Sequence, residues 1–294
     1  KKHSFTNQRK ATRNALLLEG PKTLVSKFKS QIESQIGIEL LIMAIAPPSN
    51  LLDEALDGKG GRMILIEDCV ETSGAFVVHH LLKSALSSDV LLVFISFAHP
   101  FSHYDRILRK MGCNLSVQRD CKKLMFFDML MADNRDSDRA KLIEERLISL
   151  FGEIQRAVEV CLSHEGNQHV TLMIDDVSLL EVDANGSSNF VLDFLHYCNS
   201  LRAQFGCSIV ALNHDDVYTT MDEPNLLLHM EYLADMVIKV EPLATGLATD
   251  VHGQLTVTNR GLEDGKTRNK VQNFHFRVKD SGAEYFYPGS KGFK

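Results

Sequence analysis

The segment that follows the apolar run Met63–Ile66 has the position of a phosphate-binding loop. In such loops a strand runs into GxxxxGK[ST] and then into a helix: backbone N–H groups surround the phosphates, the lysine neutralises them, and the hydroxyl holds Mg²⁺. Here Glu67–Ala75 connects the strand to the helix. When both elements are aligned with this motif, Asp68 stands at the first glycine and Ser73 at the second. Gly74 then stands at the lysine, and Ala75 at the hydroxyl residue.

None of these four positions keeps the chemistry that ATP requires. The lysine and hydroxyl positions hold glycine and alanine, while Glu67, Asp68 and Glu71 add negative charge to the loop. Two like unit charges near 4 Å apart repel by about 4 kcal/mol at the effective dielectric constant of a protein surface. We therefore predict that the chain binds no nucleotide and no other cofactor. On this segment alone, an ordinary strand–turn–helix unrelated to phosphate binding stays open as the alternative.

Two later strand ends carry polar residues where an ATPase would need them. Thr171–Ile174 is followed by Asp175 and Asp176, the Walker B pattern in which a carboxylate holds Mg²⁺. The alternative is an acidic pair that only caps a helix or a turn. The next strand ends in Asn213-His214-Asp215, where RecA-type domains carry a γ-phosphate sensor. The order and spacing of these features predict a RecA-like core whose Asp175 has lost its nucleotide.

A serine hydrolase is the enzyme alternative that the residues leave open. Ser73 lies at a strand–helix turn, and His214 is available at a later strand end. The chain has no GxSxG nucleophile elbow, however, and no evident oxyanion hole. We predict that the chain has no catalytic residue.

Metal and disulfide sites are not predicted. His99 and His103 are four residues apart, but Pro100 between them places His99 before the helix, and no third ligand is in view. The six cysteines are widely spaced and form no CxxC pair. Several lie in apolar runs, where a cysteine packs as a small hydrophobic residue, so we expect reduced thiols.

Three surface segments are candidates for binding partners. The polar turn Gly261–Lys270 has the character of a mobile loop and offers Lys266, Arg268 and Lys270 to RNA. A second basic cluster, Arg106, Arg109 and Lys110, is better explained as a solvated helix surface. The small, apolar stretch Leu243–Ala248 packs either on a partner subunit or back on its own sheet.

The surrounding pattern predicts an α/β fold that presents these strand ends along one edge. Five apolar strand-length runs alternate with helical segments, which is typical of a mostly parallel sheet with helices on both faces. Ser102 is expected to cap a helix over Tyr104–Lys110, and Gly206 to end a later one. After Leu233, strands separated by turns predict antiparallel hairpins at one side of the sheet.

Composition adds limits on domains and partners. A chain of 294 residues with 44% hydrophobic content suits one large domain, expected over residues 43–294, and has no apolar stretch that would span a membrane. Residues 1–42 carry eight Lys and Arg against three Glu and are expected to be a disordered or non-native extension, with Met43 as the natural start; a targeting peptide is the alternative. The remaining residues carry 24 basic and 35 acidic side chains, so any contact with nucleic acid must be local.

The chain resembles the Elongator complex protein 6 family, in a form similar to its plant members. The resemblance extends in order from about Asn50 to Gly289 and leaves residues 1–42 outside. It rests on IEDCVETSGAF (66–76), HPFSHYDRILRKMGCNL (99–115), MFFDMLM (125–131), MIDDVSLLE (173–181), LDFLHYC (192–198), LNHDDVY (212–218), LADMVIKVEPLATGLATDVHGQLTV (233–257) and FHFRVKDSGAEYFYPG (274–289).

The resemblance implies a RecA-like fold without a working phosphate loop. It further implies a hetero-hexameric ring with Elongator subunits four and five, which binds tRNA and supports carboxymethyl-type modification of the wobble uridine, U34. The radical and acetyl-transfer chemistry would belong to the third subunit. A location in the cytoplasm and nucleus goes with that role. A nucleotide-responsive switch with an atypical phosphate loop is the alternative function.

Overall fold

A computed structural model of the protein describes residues 50–289, except 57–59, 89, 131–138, 164–168, 185, 219–225, 247 and 264–265. The side chains of residues 139–144, 161–163, 261–263 and 266–268 are also outside the description. The expected boundary between residues 42 and 43 therefore remains a prediction.

The described residues form one nine-stranded sheet in the order β3-β2-β4-β5-β1-β6-β7-β8-β9. The first six strands in this spatial order, from β3 to β6, pair in parallel with their neighbours, and antiparallel pairing begins between β6 and β7. This confirms the predicted mostly parallel sheet with C-terminal antiparallel hairpins. Strand β6, which follows Leu233 and was expected among the antiparallel strands, instead pairs in parallel with β1. The strands are β1 Met63–Asp68, β2 Val90–Ser96, β3 Leu124–Asp128, β4 His169–Ile174, β5 Ser208–His214, β6 Met236–Glu241, β7 Gly253–Glu263, β8 Lys266–Lys279 and β9 Gly282–Phe286.

Eight α-helices in the described residues cover the two faces of the sheet. Side chains that alternate along each strand enter two separate cores, as Leu65 and Ile66 of β1 do. Helices α5 to α8 contribute buried residues to the core around Leu65, and α1 to α4 to the core around Ile66. The helices are α1 Leu51–Leu56, α2 Ala75–Ser87, α3 Phe101–Lys110, α4 Leu115–Asp120, α5 Arg139–Ser163, α6 Val177–Asp183, α7 Ser188–Phe205 and α8 Leu226–Leu233.

Two helix ends test the predicted capping residues. Gly206 follows α7 with φ +70°, in the left-handed region that glycine favours, and so confirms the predicted stop. Ser102 is not the cap of α3, because the helix already begins at Phe101 with the extended Pro100 before it. A proline has no N–H to leave unpaired, which makes the start of a helix a favourable place for it.

The parallel order places the candidate site. Strand β5 lies between β1 and β4 and pairs with both, in the registers Asp68↔His214 and Ile174↔Ala211. The carboxyl ends of these three strands therefore meet at one edge of the sheet, which we call the carboxyl edge. Ligands of parallel α/β proteins bind at this edge.

Candidate functional site

The loop after β1 uses its own backbone donors internally. Cys69 and Thr72 form an isolated antiparallel bridge, and the Thr72 N–H donates to the Cys69 carbonyl at 3.0 Å. This tight turn leaves Val70 at its tip, 85% exposed, with its N–H bonded to the Asp216 carboxylate at 2.9 Å. These two amides are already hydrogen-bonded within the protein, unlike the amides that bind phosphate in a phosphate-binding loop.

Asp68 occupies the amino end of α2 with its own carboxylate. Its side chain is 1% exposed, and its Oδ2 accepts a 2.6 Å hydrogen bond from the Gly74 N–H. The first amides of a helix carry partial positive charge and bind anions. The residue at the first-glycine position thus supplies an internal anion where a nucleotide would supply phosphate.

His214 links this carboxylate to the second acidic strand end. Its Nδ1 pairs with Asp68 Oδ1, and its Nε2 lies 3.1 Å from Asp176 Oδ2. Hydrogen bonds with Asp176 and Asp68 raise the pKa of His214 to about 10, so the imidazole is a cation at neutral pH. Asp68, His214 and Asp176 form a hydrogen-bonded chain across the carboxyl edge, which we call the Asp–His–Asp bridge.

This arrangement contradicts a serine hydrolase. An imidazolium with both ring nitrogens engaged by carboxylates cannot accept a proton as a general base. The Ser73 hydroxyl oxygen accepts a 3.2 Å hydrogen bond from the Ala75 N–H and so faces the first turn of the helix.

The lysine position is tightly packed. A Cβ on Gly74 would lie 3.2 Å from both Asp68 Cβ and Ile66 Cγ2. Those distances are shorter than ordinary carbon–carbon contacts. A lysine at this position would therefore require the Asp68 and Ile66 side chains to shift by a few tenths of an ångström.

The two residues at the Walker B position have structural partners. Asp175 is 5% exposed and accepts hydrogen bonds from the hydroxyls of Ser96 (2.5 Å) and Tyr104 (2.6 Å) and from the amides of Phe97 (2.7 Å) and Ala98 (3.1 Å). Burial raises the pKa of Asp175, while these four donors oppose that shift. The carboxylate therefore ties the end of β2 and helix α3 to β4.

Asp176 is a helix cap, as the alternative interpretation of the acidic pair proposed. Its Oδ1 accepts a 2.9 Å hydrogen bond from the Leu179 N–H at the start of α6. The same carboxylate contacts His214, so one residue both caps a helix and ends the Asp–His–Asp bridge.

A buried polar network that the sequence did not indicate supports this edge. The Ser178 hydroxyl accepts from the His214 N–H at 2.9 Å and donates to Asn213 Oδ1 at 3.1 Å. Tyr218 donates to Glu181 Oε2 at 2.7 Å. Only the strand order brings α6 and the residues after β5 together, so local patterns carried no signal for this network.

Glu67 does not face the loop mouth, contrary to the prediction from the sequence. Adjacent strand residues point to opposite faces, and Glu67 pairs in register with Lys239 on β6. Lys239 Nζ lies 2.7 Å from Glu67 Oε2 and 3.0 Å from Glu231 Oε1. Burial raises the pKa of Glu67 to about 7, against the opposing effect of Lys239.

The two histidines that were considered for a metal site stack on each other. The rings of His99 and His103 have centroids 4.0 Å apart and are inclined by 28°. Throughout the described residues, no group of three His, Cys, Asp or Glu side chains is arranged to hold a metal ion.

The basic residues proposed for RNA lie in a strand, and the described residues of the expected loop, 261–263 and 266–270, belong to β7 and β8. Lys266, Arg268 and Lys270 belong to β8, opposite Glu263, Gly261 and Asn259 of β7. The β7–β8 pairing thus continues almost to the tip of the hairpin. Lys270 is exposed.

The other two surface segments are also exposed. Arg106, Arg109 and Lys110 lie on the surface of α3, where Arg109 pairs with Asp105 at 2.7 Å. In the stretch 243–248, the described residues after Leu243 are exposed, so they are not covered by their own sheet. As for membranes, the described part of the chain contains no helix with the length and hydropathy of a transmembrane span.

Comparison with known proteins identifies the family. The family model of Elongation complex protein 6 matches residues 49–280. The chain belongs to the Elongator complex protein 6 family. Curated family members from human and mouse are 27% and 29% identical to it, each over 82% of this chain and 96% of its own length. The member from Dictyostelium discoideum is 28% identical over 79% of this chain and 91% of its own.

A solved structure supports the fold independently. The KaiC-like protein PH0186 from Pyrococcus horikoshii OT3 superposes with a TM-score of 0.52 at 13% identity, over 77% of this chain and 90% of its own. At that identity the likeness concerns the fold alone, and it confirms the predicted RecA-like core. In this member of the Elongator complex protein 6 family, the Asp–His–Asp bridge therefore spans the carboxyl edge.

Proposed function

We propose that this chain is a non-catalytic subunit of the Elongator complex. In this proposal it joins subunits four and five in a hetero-hexameric RecA-like ring that binds tRNA and supports carboxymethyl-type modification of U34 in the cytoplasm and nucleus. One observation supports the non-catalytic role above all: the Asp68 carboxylate accepts a hydrogen bond from the Gly74 N–H and pairs with His214.

Three features of the loop oppose nucleotide binding. No lysine is present to neutralise phosphate, the Asp68 carboxylate already uses the amino end of α2, and Glu71 is an exposed second charge. A polyphosphate would have to replace a 1%-exposed carboxylate and break its contact with His214. Removing one partner of a buried ion pair costs about 3 kcal/mol or more.

For the tRNA contact, we propose the β7–β8 hairpin with Lys266, Arg268 and Lys270. The two paired strands project these residues to the end of the hairpin, opposite Glu263, Gly261 and Asn259. Because the hairpin tip is basic and the rest of the domain is acidic, a polyanion would contact the domain only at this tip and in one orientation. This is the form of contact that the net charge of the domain allows.

The assembly is tested by affinity purification of the tagged full chain from its own cells, followed by native mass spectrometry. We expect two other RecA-like subunits at equal stoichiometry, with the third, catalytic subunit recovered at lower salt. Recovery of the chain alone, or as a homo-oligomer, would contradict the ring. As a control for non-specific recovery, the same tag is carried by an unrelated acidic protein of similar size.

A further inference from the structure

A stripe of ring and cationic side chains at the start of α3 and along it has no role in the site described above. His103, which is half-buried, and the exposed Arg106 and Lys110 follow one another at intervals of three or four residues, which places them along one side of the helix. His99 precedes the helix and joins the stripe by stacking on His103. The span from His103 to Lys110 is roughly 10 Å at the rise of an α-helix. We call these four residues the α3 stripe.

The rings at the start of the stripe are held in place and accessible. The Ser96 hydroxyl oxygen lies 2.5 Å from both the His99 carbonyl oxygen and Asp175 Oδ2, and its single proton is shared between these two acceptors. His99 stacks on His103 at 4.0 Å between ring centroids, and the His99 side chain is exposed. The stack therefore presents a fixed, flat ring at the carboxyl edge.

The cations at the other end are available for a ligand. Arg106 is exposed, and Lys110 lies 3.9 Å from Asp280, which is 98% exposed and gives only a weak pair. The nearby Asp105 is turned to Arg109 and to the amides of Leu115 and Ser116. Residues 99–123 contain six basic and two acidic side chains, the reverse of the balance of residues 43–294 as a whole.

We propose that the α3 stripe binds RNA, with an unpaired base stacked on His99 and the neighbouring phosphates on Arg106 and Lys110. Single-stranded RNA is bound by this combination of an exposed planar ring and a line of cations. An acidic protein would satisfy the cations but would leave the exposed ring stack without a role. The inference rests on the proposed tRNA-binding function and adds a second contact, distinct from the β7–β8 hairpin.

The test measures binding of a fluorescent tRNA anticodon stem-loop to the purified assembly that contains the full chain, over a range of salt concentrations. Arg106→Glu is expected to weaken binding about ten-fold and to reduce the salt dependence of log K by about one unit or more. His99→Ala is expected to weaken binding about five-fold or more with an unchanged salt dependence, whereas His99→Phe retains most of the affinity.

Matched controls carry the same changes elsewhere on the surface. Arg156→Glu on α5 and His196→Ala on α7 alter exposed helix residues and should leave the affinity unchanged. Equal effects of Arg106→Glu and Arg156→Glu would overturn the α3 stripe as an RNA site, and so would loss of assembly without loss of RNA affinity, which would assign the stripe to a protein partner. If the unaltered assembly bound no tRNA, the proposed function itself would fail, and the inference with it.

Discussion

At the scale of single residues, the substitution that removes the phosphate chemistry also replaces the phosphate. Asp68 stands at the first-glycine position, yet its carboxylate accepts from Gly74 N–H and pairs with His214. In our proposal this carboxylate takes the place of a nucleotide phosphate. A glycine there would leave the amino end of α2 without an anion and His214 with only one of its two carboxylate partners, Asp176, at a cost in stability.

Replacing Asp68 tests this internal ligand. Asp68→Ala should reduce the free energy of unfolding by roughly 1–3 kcal/mol, because it leaves the Gly74 N–H unpaired and removes one of the two carboxylates that pair with His214. Added phosphate or acetate should restore part of that loss by binding in the vacated place. Urea denaturation with and without each anion, at constant ionic strength, measures both effects.

Glu71→Ala is the control in the same loop, since its carboxylate is exposed and should change stability by less than about 0.5 kcal/mol. If Asp68→Ala were as stable as the unaltered chain, the carboxylate would have no such role. Anion effects equal in all three proteins would lead to the same conclusion.

The Asp–His–Asp bridge also predicts a pH dependence. The pKa of His214 is raised from 6.5 to about 10, so its contribution to stability is fully present below pH 6.5 and is lost as the pH rises toward 10. The free energy of unfolding of the unaltered chain should therefore fall over this range more steeply than that of His214→Gln. Parallel pH profiles of the two proteins would rule out a charged His214.

At the scale of elements, the predictable parts are those with a local signal. The apolar runs predicted the positions of β1 to β6, and Gly206 predicted the end of α7, because strand burial and helix capping depend on residues that are close together in the sequence. Helices α1, α4, α6 and α8 have no more than eight residues, too few for a clear periodicity, and were missed. The polar strands around the β7–β8 tip were expected to be a loop, since their pairing comes from each other and not from a buried face.

The candidate site divides in the same way. The positions of Asp68, Gly74, Asp175 and Asp176 could be assigned from the strand and helix around them. The partners of these residues could not be assigned, because His214 contacts Asp68 and Asp176 only when β5 lies between β1 and β4. The strand order is a property of the whole sheet, and the loop sequence alone does not reveal it.

The join between the parallel sheet and the hairpins makes a prediction of its own. Gly253 begins β7, and a Cβ there would lie 2.6 Å from the Glu241 carbonyl oxygen and 2.7 Å from the Phe276 ring. Gly253→Ala should therefore destabilise the fold by roughly 1–3 kcal/mol through overpacking. Gly152→Ala, in open space on α5, should stabilise it by about 0.5–1 kcal/mol, and denaturation midpoints measure both. Equal midpoints for the two variants would contradict the close contact at Gly253.

At the scale of the whole molecule, the sheet is asymmetric. Parallel strands end at β3 on one side, and antiparallel hairpins end at β9 on the other. A closed ring of head-to-tail subunits needs two different contact surfaces on each subunit. In the ring that we propose, this chain would help to set the geometry, and the bridged carboxyl edge is consistent with a subunit that adds no ATP hydrolysis of its own.

The most direct test of this account is a calorimetric titration of the purified full chain with Mg²⁺-ATP. Because Asp68 holds the amino end of α2 and no lysine is present in the loop, we predict no saturable heat up to about 1 mM nucleotide, a range that excludes binding free energies beyond about −4 kcal/mol. Saturable binding with a Kd near micromolar would contradict the account, since ATP would then have displaced the Asp68 carboxylate from the loop.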